Sequence, residues 1–397
     1  MTNPYCKFVW KCNYLLLFVF VLLLSFNYGT RYGGEGSPTI TWSIETVDSV
    51  DHVGWYTSLV LDKGNFAHIS YHDITNGDLK YAYQDKSGWH IETADRKGWV
   101  GWYSSLALDS KGRPHISYYD HVDNWDLKYA YKDGLGWHTK TMDSKGGYTS
   151  LAIDHRGYIH ICYSTSDIWK YMYKNESGWH LRNVNNVQDS SSYISLALDD
   201  EGYAHISYYE VTNEDLKYTY QKGSGWYTEI IDSAGDVGRF NSLGVDSKGY
   251  AHISYFDYTK EDLKYAHQNE SGWHLATLDN LGSVGWCTSL ALDTEDNAHI
   301  SYYDDTLENL KYAYRDASGW HLATVDRKGR VGPDNSLGLD SGGYAHISYY
   351  DATNEALNYA TNNVSGSPPE TKIIGFELLW VIISIGVLSF YRLRRFT

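Results

Sequence analysis

The sequence is poor in cysteine, proline and methionine, with 4, 6 and 3 of these residues in a chain of 397. Two of the cysteines, Cys6 and Cys12, precede an apolar run near the N-terminus. The other two, Cys162 and Cys287, lie in separate copies of a long repeat. A disulfide requires Cα atoms within about 7 Å of each other, which such a separation does not favour. We therefore expect packing, rather than cross-links, to hold the fold together.

Positive charge is also scarce, since 33 Lys and Arg face 49 Asp and Glu, for a net charge of −16. Both ends of the chain are nevertheless basic, so the region between them is more acidic than the whole. An acidic surface repels phosphate groups, which argues against nucleic-acid binding. Cations, cationic partners and neutral sugars are easier to accommodate.

Motifs that mark common catalytic sites are missing. The sequence contains no phosphate-binding loop, no nucleophile elbow and no recognisable spacing of metal ligands. We therefore assign no catalytic residue, and the sequence favours a protein that is not an enzyme.

The dominant feature is a repeat, marked by a histidine that recurs every 45 or 47 residues. Its seven members are His68, His115, His160, His205, His252, His299 and His346. A regular period of this length is typical of repeat architectures. The high content of Tyr (38) and Trp (15) favours β structure.

Each copy contains four short apolar runs separated by turn residues. In the first copy these are Ser58–Asp62, His68–Asp73, Leu79–Tyr83 and Trp89–Ala94. Gly, Asn or Asp recurs between the first two runs, as a tight hairpin requires. Seven units of four antiparallel strands predict an all-β, seven-bladed β-propeller over residues 40–362.

The last strand of the seventh unit is missing from its expected place. Six units end in a strand that begins with Gly-Trp, whereas the seventh runs out soon after Asn358. Residues 42–48 (WSIETVD) match residues 89–95 (WHIETAD) of the first unit. The N-terminal strand should therefore complete the seventh blade and close the ring, which removes two open edges.

The repeated polar residues are best interpreted as structural. The seven histidines are too dispersed to share a metal ion, so we expect each to be buried and hydrogen-bonded within its blade. Lys80 and its equivalents alternate with Leu and Tyr. We expect Lys80 to lie between blades, near Tyr71 and the pair Asp73 and Asp78, with ion-pair and cation–π support.

Two sets of loop residues are candidates for ligand binding. The acidic loops could bind calcium or hydroxyl-rich ligands, or could simply cap turns and neutralise lysines. Aromatic side chains near them suit the apolar faces of sugar rings, although they could instead only cover the blade tops. The candidate ligand-binding residues are Trp55, Tyr56, Trp102, Tyr103, Trp125, Trp286, Asp73, Asp78, Asp120 and Asp126.

The two ends of the chain predict a membrane-anchored protein. Residues 1–30 resemble a signal peptide or signal anchor, with two lysines before an apolar run of 13 residues. Residues 373–391 are long and apolar enough for a transmembrane helix, after a linker at 363–372. The basic tail at 392–397 predicts a cytoplasmic C-terminus and an extracellular propeller. Three glycosylation sequons, at Asn175, Asn269 and Asn363, are compatible with that location.

The period, the four-strand unit and the Gly-Trp turn resemble the repeats of propeller lectins. The turns Tyr83–Trp89 and Tyr314–Trp320 lie where the Asp-box lies in sialidase-type repeats, but their spacing is shorter and the motif's serine is absent. The tail from Ser367 resembles the anchoring segments of archaeal surface proteins. The lectin resemblance implies carbohydrate binding, and no catalytic residue is carried over.

Three functional hypotheses follow. The first is a cell-surface recognition or adhesion module that binds carbohydrate or surface polymer. The second is an extracellular glycan-active hydrolase or lyase. The third is a protein-interaction scaffold at the cell surface.

Overall fold

The computed structural model describes residues 40–121, 125–165, 168–182, 184 and 191–363. All strands in these ranges belong to seven four-stranded antiparallel sheets, which confirms the predicted seven-bladed propeller. The described part contains no helix with the length and apolarity needed to cross a bilayer. The predicted signal segment 1–30, the membrane helix 373–391, the tail 392–397 and nearly all of the linker lie outside these residues.

The chain enters the propeller through strand β1 (Ser43–Asp48) and then forms the blades in order. Blade 1 contains β2 (Val53–Leu61), β3 (Ala67–Asp73), β4 (Asp78–Asp85) and β5 (Gly88–Asp95). Blade 2 contains β6 (Val100–Leu108), β7 (Pro114–Asp120), β8 (Asp126–Asp133) and β9 (Gly136–Asp143). Blade 3 contains β10 (Thr149–Ile153), β11 (Ile159–Ser164), β12 (Trp169–Asn175) and β13 (Gly178–Arg182). Blades 4 and 5 contain β14 (Ser191–Leu198), β15 (Ala204–Glu210), β16 (Asp215–Lys222) and β17 (Gly225–Asp232); and β18 (Val237–Val245), β19 (Ala251–Asp257), β20 (Asp262–Asn269) and β21 (Gly272–Asp279). Blades 6 and 7 contain β22 (Val284–Leu292), β23 (Ala298–Asp304), β24 (Asn309–Asp316) and β25 (Gly319–Asp326); and β26 (Val331–Leu339), β27 (Ala345–Asp351), β28 (Ala356–Thr361) and β1.

The hairpin between the first two strands of a blade forms as predicted. In blade 1, the Asp62 carboxylate accepts hydrogen bonds from the backbone N–H groups of Gly64 and Phe66. Asn65 has a φ of 63°, a left-handed conformation that Asn tolerates better than most residues. The innermost strand is longer than predicted, because it begins at Val53 rather than Ser58.

Ring closure by the N-terminal strand is confirmed. β1 pairs with β28 in antiparallel register, so blade 7 is built from both ends of the domain. The Trp42 ring packs edge-on against Tyr312 of blade 6, with centroids 5.3 Å apart. Trp89 makes the same contact with Tyr359 of blade 7, at 5.2 Å. The closing strand thus makes the same blade-to-blade contact as an internal strand.

The recurrent lysines lie between blades as predicted, but their main partner differs from the expected one. Lys80 Nζ is 2.6 Å from Asp48 and 4.0 Å from Asp73. Asp48 ends β1 of the adjacent blade, and it also accepts a hydrogen bond from the Tyr71 hydroxyl at 2.7 Å. Each such carboxylate therefore links two blades, and the expected pairing with Asp78 is replaced by this contact.

The recurrent histidines are buried and paired within their blades, as predicted. His115 Nδ1 and the Tyr129 hydroxyl are 2.5 Å apart across the second and third strands of blade 2. Burial lowers the pKa of His115 to about 4, because the charged imidazolium would lose its hydration. The imidazole is therefore neutral at pH 7 and acts as part of the core.

Candidate functional site

The candidate site is centred on the propeller axis, where the innermost strands meet. A bulge interrupts the pairing of β2 with β3 between Trp55 and Ser58, and the bulged residue Tyr56 has a φ of 52°. A bulge of this kind redirects a side chain out of the regular alternation of the strand. The φ angle is also between 50° and 52° at the equivalent positions of four other blades, which are Tyr103, Tyr193, Phe240 and Cys287. The bulges thus place one side chain each around the axis in blades 1, 2, 4, 5 and 6. In blade 3 the equivalent residue, Tyr148, directly precedes β10, and in blade 7 Asp334 lies in the irregular stretch between Val331 and Asn335.

We call the residues at this position the axial ring. They are Tyr56, Tyr103, Tyr148, Tyr193, Phe240, Cys287 and Asp334. Together with the residue that follows each of them, they line a cavity of about 430 Å³. This volume lies in the range of pockets that bind small ligands, about 300–1,000 Å³.

Five consecutive members of the axial ring are aromatic. Tyr56 and Tyr103 have ring centroids 4.4 Å apart, and Tyr103 and Tyr148 are also 4.4 Å apart. Tyr148 and Tyr193 follow at 4.7 Å, and Tyr193 and Phe240 at 4.4 Å. The planes of neighbouring rings are tilted by 42° to 48° to each other, so each ring partly overlaps the next. Blades 1 to 5 therefore present one continuous aromatic wall.

A polar layer beneath the axial ring keeps it in place. Asn335 donates to the backbone carbonyl of Cys287 at 2.9 Å, and the Ser301 hydroxyl donates to the Asn335 amide oxygen at 2.5 Å. Thr288 and Ser104 make the corresponding bonds to the carbonyls of Phe240 and Tyr56. Each of the three bonds to a backbone carbonyl joins one blade to the bulge of the preceding blade. The bulges are thus clamped from outside, which makes the ring a rigid, preformed surface.

Asp334 and Cys287 close the axial ring where the aromatic wall stops. Burial raises the pKa of the Asp334 carboxyl to about 7, although a hydrogen bond from the Tyr56 backbone opposes this shift. Burial, followed by the nearby Asp334, raises the pKa of the Cys287 thiol well above its ordinary value. A thiol held neutral is a weak nucleophile. The carboxyl, by contrast, can be charged or neutral near pH 7.

The predicted aromatic residues of blades 1 and 2 form one cluster at the mouth of the cavity. We call Trp55, Tyr56, Trp102, Tyr103 and Trp125 the rim cluster. Tyr56 has its ring centroid 5.8 Å from Trp55 and 5.2 Å from Trp102. Trp102 lies 6.4 Å from Tyr103 and 6.0 Å from Trp125. The rim cluster is continuous with the axial ring because Tyr56 and Tyr103 belong to both.

Histidines that were not predicted complete the rim. His121 stacks on Trp102 with centroids 4.7 Å apart and meets Trp125 edge-on at 4.1 Å. His52 stacks on Tyr350 at 5.6 Å, beside Trp55. His52 Nε2 is hydrogen-bonded to the Tyr350 hydroxyl at 2.5 Å, and its Nδ1 lies 3.9 Å from Glu355. His121 therefore adds a hydrogen-bonding group to the rim, whereas His52 orders the rings around Trp55.

Trp286, the remaining predicted aromatic residue, lies apart from the rim cluster. It belongs to blade 6, so blade 7 separates it from Trp55. Its ring packs against Phe240 at 5.3 Å and Phe256 at 4.9 Å, and its indole N–H donates to Ser283 at 3.0 Å. Trp286 therefore supports the axial ring from behind.

The predicted carboxylates are largely engaged in loop structure. Asp73 accepts hydrogen bonds from the backbone and side chain of Asn76 at 3.0 and 2.9 Å. Asp120 lies 3.7 Å from Lys128. Burial raises the pKa of Asp78 above its ordinary value. Asp126 has one carboxylate oxygen, Oδ1, buried without a hydrogen-bond partner.

Calcium binding by the acidic loops stays a prediction. In the ranges that the structure describes, no three His, Cys, Asp or Glu side chains converge in a way that could hold a metal ion. Of the predicted carboxylates, Asp73 stabilises its own turn through Asn76, and Asp120 lies near Lys128 of the same blade.

Two of the predicted glycosylation sites lie on the face of the propeller opposite the rim cluster, and the third lies at the C-terminal end of the domain. Asn175 and Asn269 occupy equivalent turns between the third and fourth strands, in blades 3 and 5 respectively. In both turns the asparagine side-chain oxygen accepts a hydrogen bond from the serine two residues later. Asn363 is exposed, and its amide donates to Asp340 at 3.0 Å.

Sequence reasoning missed Tyr148, Tyr193, Phe240, Cys287 and Asp334. A signal was available, because each member of the axial ring stands twelve residues before a recurrent histidine. The position one residue earlier, thirteen residues before each histidine, provided the predicted site residues Trp55, Trp102 and Trp286 instead. Only the bulge reveals that the twelfth position faces the axis.

Comparison with known proteins gives a shared fold and no family. No protein-family model matches the sequence, and no curated protein matches it. A solved virginiamycin B lyase from Staphylococcus aureus, crystallised with quinupristin, superposes with a TM-score of 0.56 at 10% identity, over 81% of this chain and 99% of that one. A polysaccharide lyase, an ulvan lyase, has a TM-score of 0.56 at 12% identity, over 79% and 95% of the two chains.

A lectin shares the architecture as well. The lectin of Aleuria aurantia, solved with Fucα1-6GlcNAc, superposes with a TM-score of 0.52 at 12% identity, over 71% of this chain and 98% of that one. Identities this low establish a common propeller fold only. The predicted likeness to propeller lectins is confirmed at that level, and the same fold is shared with lyases.

Proposed function

We propose that the chain is a non-catalytic carbohydrate-recognition module that binds sugar residues at its rim cluster. The observation that carries this proposal is the continuous aromatic surface from Trp55 to Trp125 at the mouth of an open cavity. Sugar rings stack their apolar faces on such surfaces, while their hydroxyls need polar partners nearby. His121, which stacks on Trp102, supplies such a partner.

The location of the module is part of the proposal. Residues 373–391 would anchor the chain in the membrane, with the propeller outside the cell, where surface glycans are found. Removal of residues 373–397 should release the protein into the culture medium. Retention of the truncated chain in the membrane fraction would argue against this anchor.

A glycan array probed with the full chain in mild detergent tests the binding function. We expect binding to a restricted set of glycans, equal with and without calcium, and no release of products. Trp102→Ala and Trp125→Ala should each weaken binding about tenfold, since a stacked ring contributes on the order of 1 kcal/mol or more.

Trp99→Ala is a matched control for Trp125→Ala. Both tryptophans are 40% exposed, but Trp99 lies outside the rim cluster. Its replacement should leave the glycan affinity unchanged. Equal losses in the two variants would remove the rim cluster from the function, and an array with no bound glycan would overturn the proposal.

A glycan-active enzyme is the second candidate, and Asp334 is the observation that favours it. A carboxyl group with a pKa of about 7, facing a cavity, has the property expected of a general acid or base at neutral pH. In that case the array glycans would be cleaved over time, and Asp334→Asn would abolish product release. Binding without turnover excludes this candidate in favour of recognition.

A further inference from the structure

Asp334 is the one acidic member of the axial ring, and the cavity wall gives it no cationic partner. Its neighbours in the ring are Cys287 on one side and Tyr56 on the other, and the Tyr56 backbone N–H is its hydrogen-bond donor. Among the described residues, no Lys, Arg or His forms an ion pair with Asp334, in contrast to Asp48 or Asp232, which lysines neutralise. A half-buried carboxylate is thus left facing the cavity.

The rest of the wall is suited to a positive charge. The five aromatic members of the axial ring surround the cavity from blade 1 to blade 5, and aromatic faces attract cations. The net charge of −16 adds a long-range attraction for cations to the whole chain.

The type of cation can be narrowed. Calcium takes six to eight oxygen ligands, whereas the axial ring provides a single carboxylate and Tyr hydroxyls that hydrogen-bond to one another. An organic ammonium group carries one charge, so a single carboxylate can neutralise it while aromatic faces attract its remaining side. The cavity of about 430 Å³ has room for a group of this size with an attached sugar ring.

We propose that the axial cavity binds the ammonium group of an amino sugar, so that the preferred glycan carries free amines. This inference rests on the proposed carbohydrate function, since it names the ligand class of the adjoining rim cluster. The sugar ring stacks on Tyr56 and Trp102, and its ammonium group lies between Asp334 and the aromatic wall.

Calorimetric titration of the full chain at pH 7, where both the Asp334 carboxyl and the amines of glucosamine oligomers are partly charged, tests the proposal. Glucosamine oligomers are compared with N-acetylglucosamine oligomers, in which the amine is a neutral amide. Choline is compared with 3,3-dimethylbutanol, its uncharged isostere. We expect the charged member of each pair to bind at least about tenfold more tightly.

Two variants assign the preference to the axial ring. Asp334→Asn keeps the side-chain shape but removes the charge, and should bring each affinity ratio close to one. Phe240→Leu removes one aromatic face and should lower the affinity for choline more than that for dimethylbutanol. Asp85→Asn, in an exposed turn on the opposite face, is the matched control and should retain the full ratio. A thermal melt of each variant confirms that the propeller is folded.

The outcomes separate the two proposals. Equal affinity for glucosamine and N-acetylglucosamine oligomers overturns the ammonium site but leaves carbohydrate recognition standing. Binding of choline without any binding of glucosamine oligomers overturns the amino-sugar assignment. Absence of binding by every sugar contradicts the proposed function itself.

Discussion

The backbone N–H of Leu59 donates a hydrogen bond to the Ser336 hydroxyl at 2.9 Å, although the two residues are 277 positions apart. The same bond joins each inner strand to the next, as between Leu106 and Ser58 at 3.1 Å. The Leu59–Ser336 bond therefore joins blade 1 to blade 7 in the same way as neighbouring blades are joined inside the chain. The junction between blades 7 and 1, which closes the ring, is therefore held by the same contact as the junctions between the other blades.

Loss of the closing contact should cost as much as loss of an internal one. Trp42→Ala removes the edge-on contact with Tyr312, and Trp320→Ala removes the equivalent contact with Tyr265. We expect each to lower the free energy of unfolding by about 2 kcal/mol, below the range for fully buried tryptophans because both rings are partly exposed. Urea denaturation measures this. A Trp42→Ala variant as stable as wild type would show that β1 does not complete blade 7.

Acidification below neutrality should destabilise the propeller through its seven buried histidines. Burial lowers the pKa of each, to about 4 for His115. Between pH 6.5 and 4 the unfolded chain binds protons that the folded chain does not. The free energy of unfolding therefore decreases as the pH is lowered through this window. For His115 the loss is about 3 kcal/mol. Burial raises the folded pKa of the Asp334, Asp78, Asp215 and Asp262 carboxyls, and these groups act in the opposite direction.

The pH dependence can be assigned with single variants. The unfolding free energy, measured in urea at several pH values from 7.5 to 4.5, should fall less steeply for His115→Gln than for wild type. His155→Gln serves as the control because its side chain is exposed. A wild-type stability that does not change across this range would rule out neutral buried histidines.

Close packing between blades should make Gly285 intolerant of a side chain. Gly285 has a φ of 102°, and a Cβ atom there would lie 2.7 Å from the Leu263 Cα of the neighbouring blade. Gly272 has a nearly equal φ of 108° but no atom within 4 Å of such a Cβ. Gly272→Ala therefore measures backbone strain alone.

We expect Gly285→Ala to be at least about 2 kcal/mol more destabilising than Gly272→Ala, since the blades must separate to admit the methyl group. Chemical denaturation of both variants provides the comparison. Equal effects would mean that the blades are less closely packed at this point than the structure has them.

Much of the fold can be predicted from local pattern. The histidine period, the Gly, Asn or Asp of each first hairpin and the match of residues 42–48 to 89–95 predict seven blades and their closure. The partner of Lys80 is different. Asp48 and Asp73 are both acidic and near in the repeat, and only the packing of adjacent blades brings Asp48 to 2.6 Å and leaves Asp73 at 4.0 Å.

The candidate site follows the same division. Trp55 and Trp102 are visible in the sequence as aromatic residues in variable loops, and the structure places them together. Asp334 is visible only as an acid in the seventh repeat, and nothing local connects it to Tyr56.

The sequence by itself determined the number of blades, their strand order and the strand that closes them, because hairpin turns and strand alternation depend on near neighbours. Only the tertiary structure decided which side chains meet at the axis. A bulge turns Tyr56 inward, as it does the equivalent residues of blades 2, 4, 5 and 6, and ring closure brings Asp334 of the last blade beside Tyr56 of the first. Those contacts depend on the pairing of segments more than 270 residues apart.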